Sequence, residues 1–131
     1  MNIILTSALA GFAILSFSPG ASAATATESD AQVAIEYLLA QVEDSELEFV
    51  RNGKAHAGPD AAKHMRRKYE HYAERIHSPE DFIDLAATKS ILSGKKYMVR
   101  DGDAVIPTAE WLHGLLNNYR SALHDRGVGA E

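Results

Sequence analysis

Apolar residues at Val33, Ile35, Leu38, Leu39 and Val42 recur at three- and four-residue steps, the period of a helix that buries a broad face. Ser29 followed by Gln32 forms a capping-box start, so the spacing predicts a first helix from about Asp30 to Glu43. Two short β-type runs follow, Leu47 to Arg51 and Lys54 to Ala57, separated by Asn52-Gly53. A tight two-residue hairpin turn needs positive φ at both positions, which Asn and Gly tolerate, so Phe49 is expected opposite His56 and Val50 opposite Ala55. Pro59 suits the first turn of a second helix extending through Ile76, with Met65, Tyr69, Tyr72 and Ile76 on one stripe and Ala61 and Ala62 beside it. His64, Lys68, His71 and Arg75 fall on one flank of that stripe, where buried and wet surfaces meet. Ser78-Pro79-Glu80-Asp81 starts a third helix that buries Phe82, Ile83, Ala86 and Ala87 and stops near Ser90. Ser93-Gly94-Lys95-Lys96 reads as a loop. Tyr97 to Arg100 and Asp103 to Ile106 read as a second hairpin around Asp101-Gly102, with Gly53 and Gly102 as the turn glycines. Pro107-Thr108 opens a last helix whose Leu112, Leu115, Leu116, Tyr119 and Leu123 line one face, with Trp111 beside it and Gly127 near its end.

Both halves therefore read helix, hairpin, helix. A shift of 49 residues places Val50 on Val99, Arg51 on Arg100, Gly53 on Gly102, Ala55 on Ala104 and His64 on His113. Either a true repeat or turn chemistry alone accounts for these matches. The expected fold is a small single α+β domain of two αββα units, with about four helices and two short antiparallel hairpins.

The N-terminus changes the picture of where this domain works. Met1 to Ala23 contains no Asp, Glu, Lys or Arg, and its apolar run from Ile3 to Phe17 is short for a membrane helix. The run ends in Pro19-Gly20 and then Ala21-Ser22-Ala23, a small-x-small pattern. The expectation is a secretory signal peptide cut after Ala23, with no stable membrane span afterwards; the alternative is an uncleaved anchor. Removing the first 23 of 131 residues leaves 108, enough for one domain with its core at about 30–126. With no cysteine in the chain, thiol catalysis, Cys-based zinc sites and Cys-attached haem are excluded.

Charge is unevenly spread. Glu28 to Glu48 holds seven acids and no Lys or Arg, whereas Phe49 to His77 holds seven bases against three acids. Two faces that attract each other in the fold would explain this, as would a basic patch for an anionic partner. The net charge of −5 argues against nucleic acid as that partner.

Among possible constellations, Glu74 with His77 and Glu110 with His113 have the spacing at which a helix holds carboxylate and imidazole on one side. His77 falls at a helix end, and further carboxylate ligands are not evident, so no metal or cofactor is expected. Ser93-Gly94-Lys95-Lys96 matches the S-x-x-K spacing of penicillin-binding enzymes without their partner motifs. Ser93-Gly94-x-x-Tyr97 is similar to the S-G-x-x-Y loop of periplasmic lysozyme inhibitors, which are β-rich proteins.

Phe49-Val50-Arg51-Asn52-Gly53, then His64 with Lys68, Phe82-Ile83, and Ser93-Gly94-Lys95 with Tyr97, together resemble the YfeK-like family of uncharacterised periplasmic proteins of Gram-negative bacteria. The resemblance covers about Val33 to Arg120 and implies periplasmic export of a small single domain, with no established activity. Members often carry a Cys near the first hairpin and a Pro before the Tyr; here there is no Cys and position 96 is Lys, which removes any redox role.

The combined expectation is a periplasmic binding or interaction module rather than an enzyme, its partner an unknown envelope protein or an anionic small ligand. The expected surface joins Arg51 and Asn52 at the hairpin tip to His64 and Lys68 on the helix flank, with Ser93, Gly94 and Tyr97 nearby. Arg supplies a planar fork for carboxylate or phosphate, Lys a point charge, and His64 a pH-dependent contribution. A small hydrolase or metal-dependent enzyme using His64 or the Glu-x-x-His pairs, and a lysozyme inhibitor using Ser93 to Tyr97, are the alternatives.

Overall fold

Helix α1 (Gly20–Asp44) starts well before the expected Asp30, and Ser29 lies within it rather than capping it. The Ala-rich stretch ahead of Ser29 is a strong helix former, so nothing forces a start at the capping pattern. The computed structural model describes residues 20–128; the export segment expected at Met1 to Ala23 lies outside them except for Gly20 to Ala23, which open α1. After α1 come strands β1 (Glu48–Arg51) and β2 (Lys54–His56), then α2 (Gly58–His71). Helix α3 (Pro79–Ala86), strands β3 (Met98–Asp101) and β4 (Ala104–Pro107), and helix α4 (Thr108–Val128) complete the chain order. Among the described residues no helix is long and apolar enough to cross a membrane.

Two helices end sooner than their apolar stripes suggest. Helix α2 stops at His71, and a 3-10 turn at Ala73–Arg75 leads to an extended Ile76, which returns to the core. The chain must also be extended at Ser78 ahead of Pro79, so the helix cannot run on. Ser78 then caps α3, its hydroxyl accepting from the Asp81 backbone N–H at 3.1 Å. At the other end of α3, the Thr88 hydroxyl and the Ala87 N–H both donate to the Ile83 carbonyl, which closes the helix before Ser90.

The two hairpins join into one antiparallel sheet of order β2-β1-β3-β4. In the first, Phe49 faces His56 and Val50 faces Ala55 as expected, with Asn52 (φ 52°) and Gly53 (φ 77°) making the turn. The second hairpin differs by one residue from the expectation. Asp101 pairs with Ala104, so the turn is Gly102-Asp103, and only Gly102 (φ 61°) takes positive φ, as a type II′ turn requires. Because β1 and β3 run antiparallel, the two tips lie at opposite ends of the sheet.

This slip also corrects the apparent repeat. Strands β1 and β3, and the starts of α2 and α4, correspond at an offset of 50 residues rather than 49. The central pairing of Phe49 with Val99 then maps onto itself, as about a two-fold axis. Matches made at 49 would pair residues on opposite faces of the strands, so they reflect turn composition and not equivalent places in the fold.

Phe49 and Val99 turn into the helical layer, where they meet buried residues of all four helices, including Leu38 and Leu39 of α1 and Phe82 of α3. On the other face of the sheet Glu48 and Arg100 pair at 2.9 Å, exposed to water. Two residues expected in the core are outside it: Val33 is 56% and Leu123 48% exposed. They line a groove of about 580 Å³ where α1, α4 and the start of α3 part, just beyond the stacked Tyr37 and Tyr119 rings.

Candidate functional site

Three elements meet at the Asn52 end of the sheet. Arg51 follows Phe49 by two residues and so projects from the same face of β1, toward α2. His64 and Lys68, one turn apart on α2, stand on the flank that their spacing predicts. Tyr97 precedes β3 and is buried, its N–H donating to the Thr88 carbonyl at 3.0 Å and its carbonyl accepting from the Thr108 N–H at 2.9 Å.

The Tyr97 hydroxyl is the hub. The Lys68 ammonium donates to it at 3.4 Å and also to the Lys89 carbonyl at 3.0 Å, and it sits 5.1 Å from the Tyr97 ring centroid. His64 Nε2 lies 3.2 Å from the same hydroxyl. An ammonium can only donate, so the hydroxyl donates its own hydrogen bond to His64, whose Nε2 is the acceptor of a neutral imidazole. Burial, and then the positive charges of Arg51, Lys68, Arg67 and His56, lower the His64 pKa from 6.5 to about 4. His64 is thus neutral near pH 7, and the pH-tuning role expected for it would act only in acid. Burial, followed by Arg51, also lowers the Lys68 pKa. Burial raises that of Tyr97, against the pull of Arg51.

Lys68 is only 9% exposed. The ion pairs among the described residues join Arg66 to Glu36, Arg100 to Glu48 and Arg120 to Glu80. The first of these ties the basic helix to the acidic one, so part of the charge asymmetry is consumed inside the fold. Among the described residues no carboxylate pairs with Arg51 or Lys68.

Beneath this cluster lies a cavity of about 20 Å³, about the size of one water, lined by residues including Phe49, Arg51, His56, His64, Tyr97 and Thr108. The Thr108 side chain is fully buried, and its hydroxyl has no hydrogen-bond partner among the described residues. An unpaired buried hydroxyl is costly, so Thr108→Val is expected to raise stability by about 1 kcal/mol in urea denaturation. A loss of stability would instead mean that the hydroxyl is bonded in solution.

The remaining expected site residues act as a brace. Asn52 donates to the Ser90 hydroxyl at 3.5 Å and accepts from that of Ser93, so its amide ties the hairpin tip to the loop between α3 and β3. Gly94 (φ 69°) makes the turn of that loop. Because Tyr97 points inward, the loop does not offer it to a partner in the manner of the inhibitor motif. The Ser93 hydroxyl is engaged with Asn52, and Lys96 bridges to Lys89. Among the described residues no three His, Asp or Glu side chains gather as a metal site would require. His56, Ser90 and Thr108 belong to this region and were missed. The Phe49–His56 register carried a signal for the first, but nothing in the sequence reveals the long-range contacts of the other two.

The model of a family of unknown function, DUF5329, matches residues 29–120, which include every residue of this cluster. The chain belongs to this family. The Salmonella typhimurium protein designated uncharacterized protein YfeK is 42% identical to this DUF5329 chain over 60 residues, 46% of the chain and 50% of the relative. The chain thus spans about half the length of the curated relative it matches. The YfeK-like resemblance seen in the motifs is borne out. No solved structure matches the DUF5329 chain.

Proposed function

We propose that this DUF5329 protein is a binding module that receives a carboxylate or phosphate group on the basic surface at Arg51, where β1, α2 and the segment before β3 meet. The observation that carries this reading is the buried Lys68 ammonium with no carboxylate partner among the described residues, beside Arg51 and a neutral His64. A buried cation is normally paired, so an incoming anion would supply a favourable charge that the fold leaves out. Arg51, half-buried at the strand end, would grip the anion through its planar fork. Tyr97 and Asn52 hold the parts in place, and their bonds are internal. The charge-free apolar segment Met1 to Ala23 supports a reading in which the module is exported and works in the periplasm.

Isothermal titration of the full chain with inorganic phosphate and with acetate, at fixed ionic strength, tests the reading. Binding of at least one anion is expected, weakened about tenfold or more by Arg51→Ala and only partly restored by Arg51→Lys, which keeps the charge and loses the fork. Equal affinity of the wild type and Arg51→Ala, or no binding of either anion, would overturn it.

A further inference from the structure

The loop between α3 and β3 carries a surface that the proposed anion site does not use. At its tip Leu92 is 99% exposed and Ile91 66%, neighbouring aliphatic side chains standing in water. This is not the exposure of a loose segment. Ser90 N–H donates to the Lys95 carbonyl at 3.0 Å, Gly94 N–H to the Ser90 carbonyl at 2.8 Å, and Lys89 bridges Lys96. The Asn52 amide buttresses the same turn from the hairpin. The fold therefore spends hydrogen bonds on holding two apolar residues outward.

The charges around the tip are of one sign. Lys89, Lys95 and Lys96 are all exposed, and Thr88 to Arg100 contains no Asp or Glu. Exposed Lys54 stands on the hairpin that the Asn52 amide ties to this loop. Asp101 and Asp103 sit at the other hairpin tip, at the far end of the sheet. A protein of net charge −5 thus keeps a cationic end.

We infer that this loop docks the protein on an anionic phospholipid surface, with Ile91 and Leu92 entering the boundary of the acyl chains and the lysines lying among the phosphates. A protruding apolar knob ringed by ammonium groups matches the layering of a bilayer interface, which is apolar within and anionic at the headgroups. The long lysine stems let each ammonium stay at headgroup level while the tip sinks. This inference does not depend on the proposed anion site, since neither Arg51 nor Lys68 is at the tip.

The chain has no cysteine, so Leu92→Cys in the full chain gives a unique attachment point for an environment-sensitive fluorophore. Asp103→Cys labels the opposite end as a control. With vesicles of equal phosphatidylglycerol and phosphatidylcholine, the label at position 92 is expected to brighten and shift to the blue, and the label at 103 to stay aqueous. Adding Lys89→Gln, Lys95→Gln and Lys96→Gln together should raise the half-saturating lipid concentration about tenfold or more, as should 0.5 M salt. An unresponsive label at 92, an equal response at 103, or the same response on pure phosphatidylcholine would overturn the inference. So would a response at 92 to a periplasmic extract alone, which would point to a protein partner.

Discussion

Gly58→Ala is expected to cost about 3 kcal/mol or more of folding stability, at or beyond the upper end for an added methyl in a packed site. A Cβ at this position would collide with the Val42 carbonyl oxygen and stand 2.8 Å from that of Ser45 and 3.0 Å from that of Glu43. All three obstacles are backbone atoms, which cannot swing aside as the end of a side chain can. Gly58 has no positive φ, so the cost is one of space rather than of backbone conformation. The closeness has its own benefit: the positive N-terminal end of α2 meets the negative C-terminal carbonyls of α1. Pushing these ends apart would disturb that arrangement and the packing of Ala61 and Ala62 behind it. Gly114→Ala on α4 is the internal comparison, because among the described residues nothing beyond its own helix backbone and chain neighbours lies within 4 Å of the added Cβ. It should gain up to about 1 kcal/mol from helix propensity and a more restricted unfolded chain. Urea denaturation of both variants should shift the midpoint in opposite directions. A Gly58→Ala midpoint within error of the wild type would show that the helix ends are not in contact in solution.

The sequence discloses local geometry here better than long-range closure. Asn52-Gly53 set the first hairpin and its register, and Ser78-Pro79 set a helix start, because each rests on bonds within a few residues. The helical period likewise put His64 and Lys68 on the right flank. It could not show that the Lys89 carbonyl and the Tyr97 hydroxyl close over Lys68, since those groups arrive from a loop whose path depends on the whole sheet. The second hairpin departs from the expectation by one residue. Asp-Gly satisfies a type I′ turn locally, but Asp101 pairs with Ala104 at the end of the β3–β4 ladder, which makes it a strand residue and moves Gly102 to the first turn position. That single-residue slip is also what made the repeat look 49 residues long. Ile91 and Leu92 fall outside any helix or strand period, and their outward placement rests on loop hydrogen bonds that periodicity does not encode.

Taking the protein from pH 7 to pH 4 is expected to destabilise the wild type by about 2 kcal/mol more than His64→Gln. The unfolded imidazole titrates at its ordinary value of 6.5, whereas in the fold it titrates at about 4. Between these values the unfolded chain binds a proton that the folded chain does not, so stability rises with pH. The contribution is fully present above pH 6.5 and is lost as the pH falls through that window toward 4. Its full linkage value would be about 3.4 kcal/mol, which the partial solvent contact of His64 reduces. Geometry gives the same sign independently of any titration. A protonated Nε2 would have to donate to a Tyr97 hydroxyl that Lys68 already donates to, setting two cations on one oxygen beside Arg51. Carboxylates titrate in the same range, which is why the difference between two proteins is the quantity to read. Gln places an acceptor near the position of Nε2 and can accept the hydrogen bond of the Tyr97 hydroxyl throughout this pH range, so the variant should fold and lack only the titration. Parallel stability profiles for the two proteins between pH 7 and pH 4 would rule out a desolvated, neutral His64 and, with it, the electrostatic picture of the basic cluster.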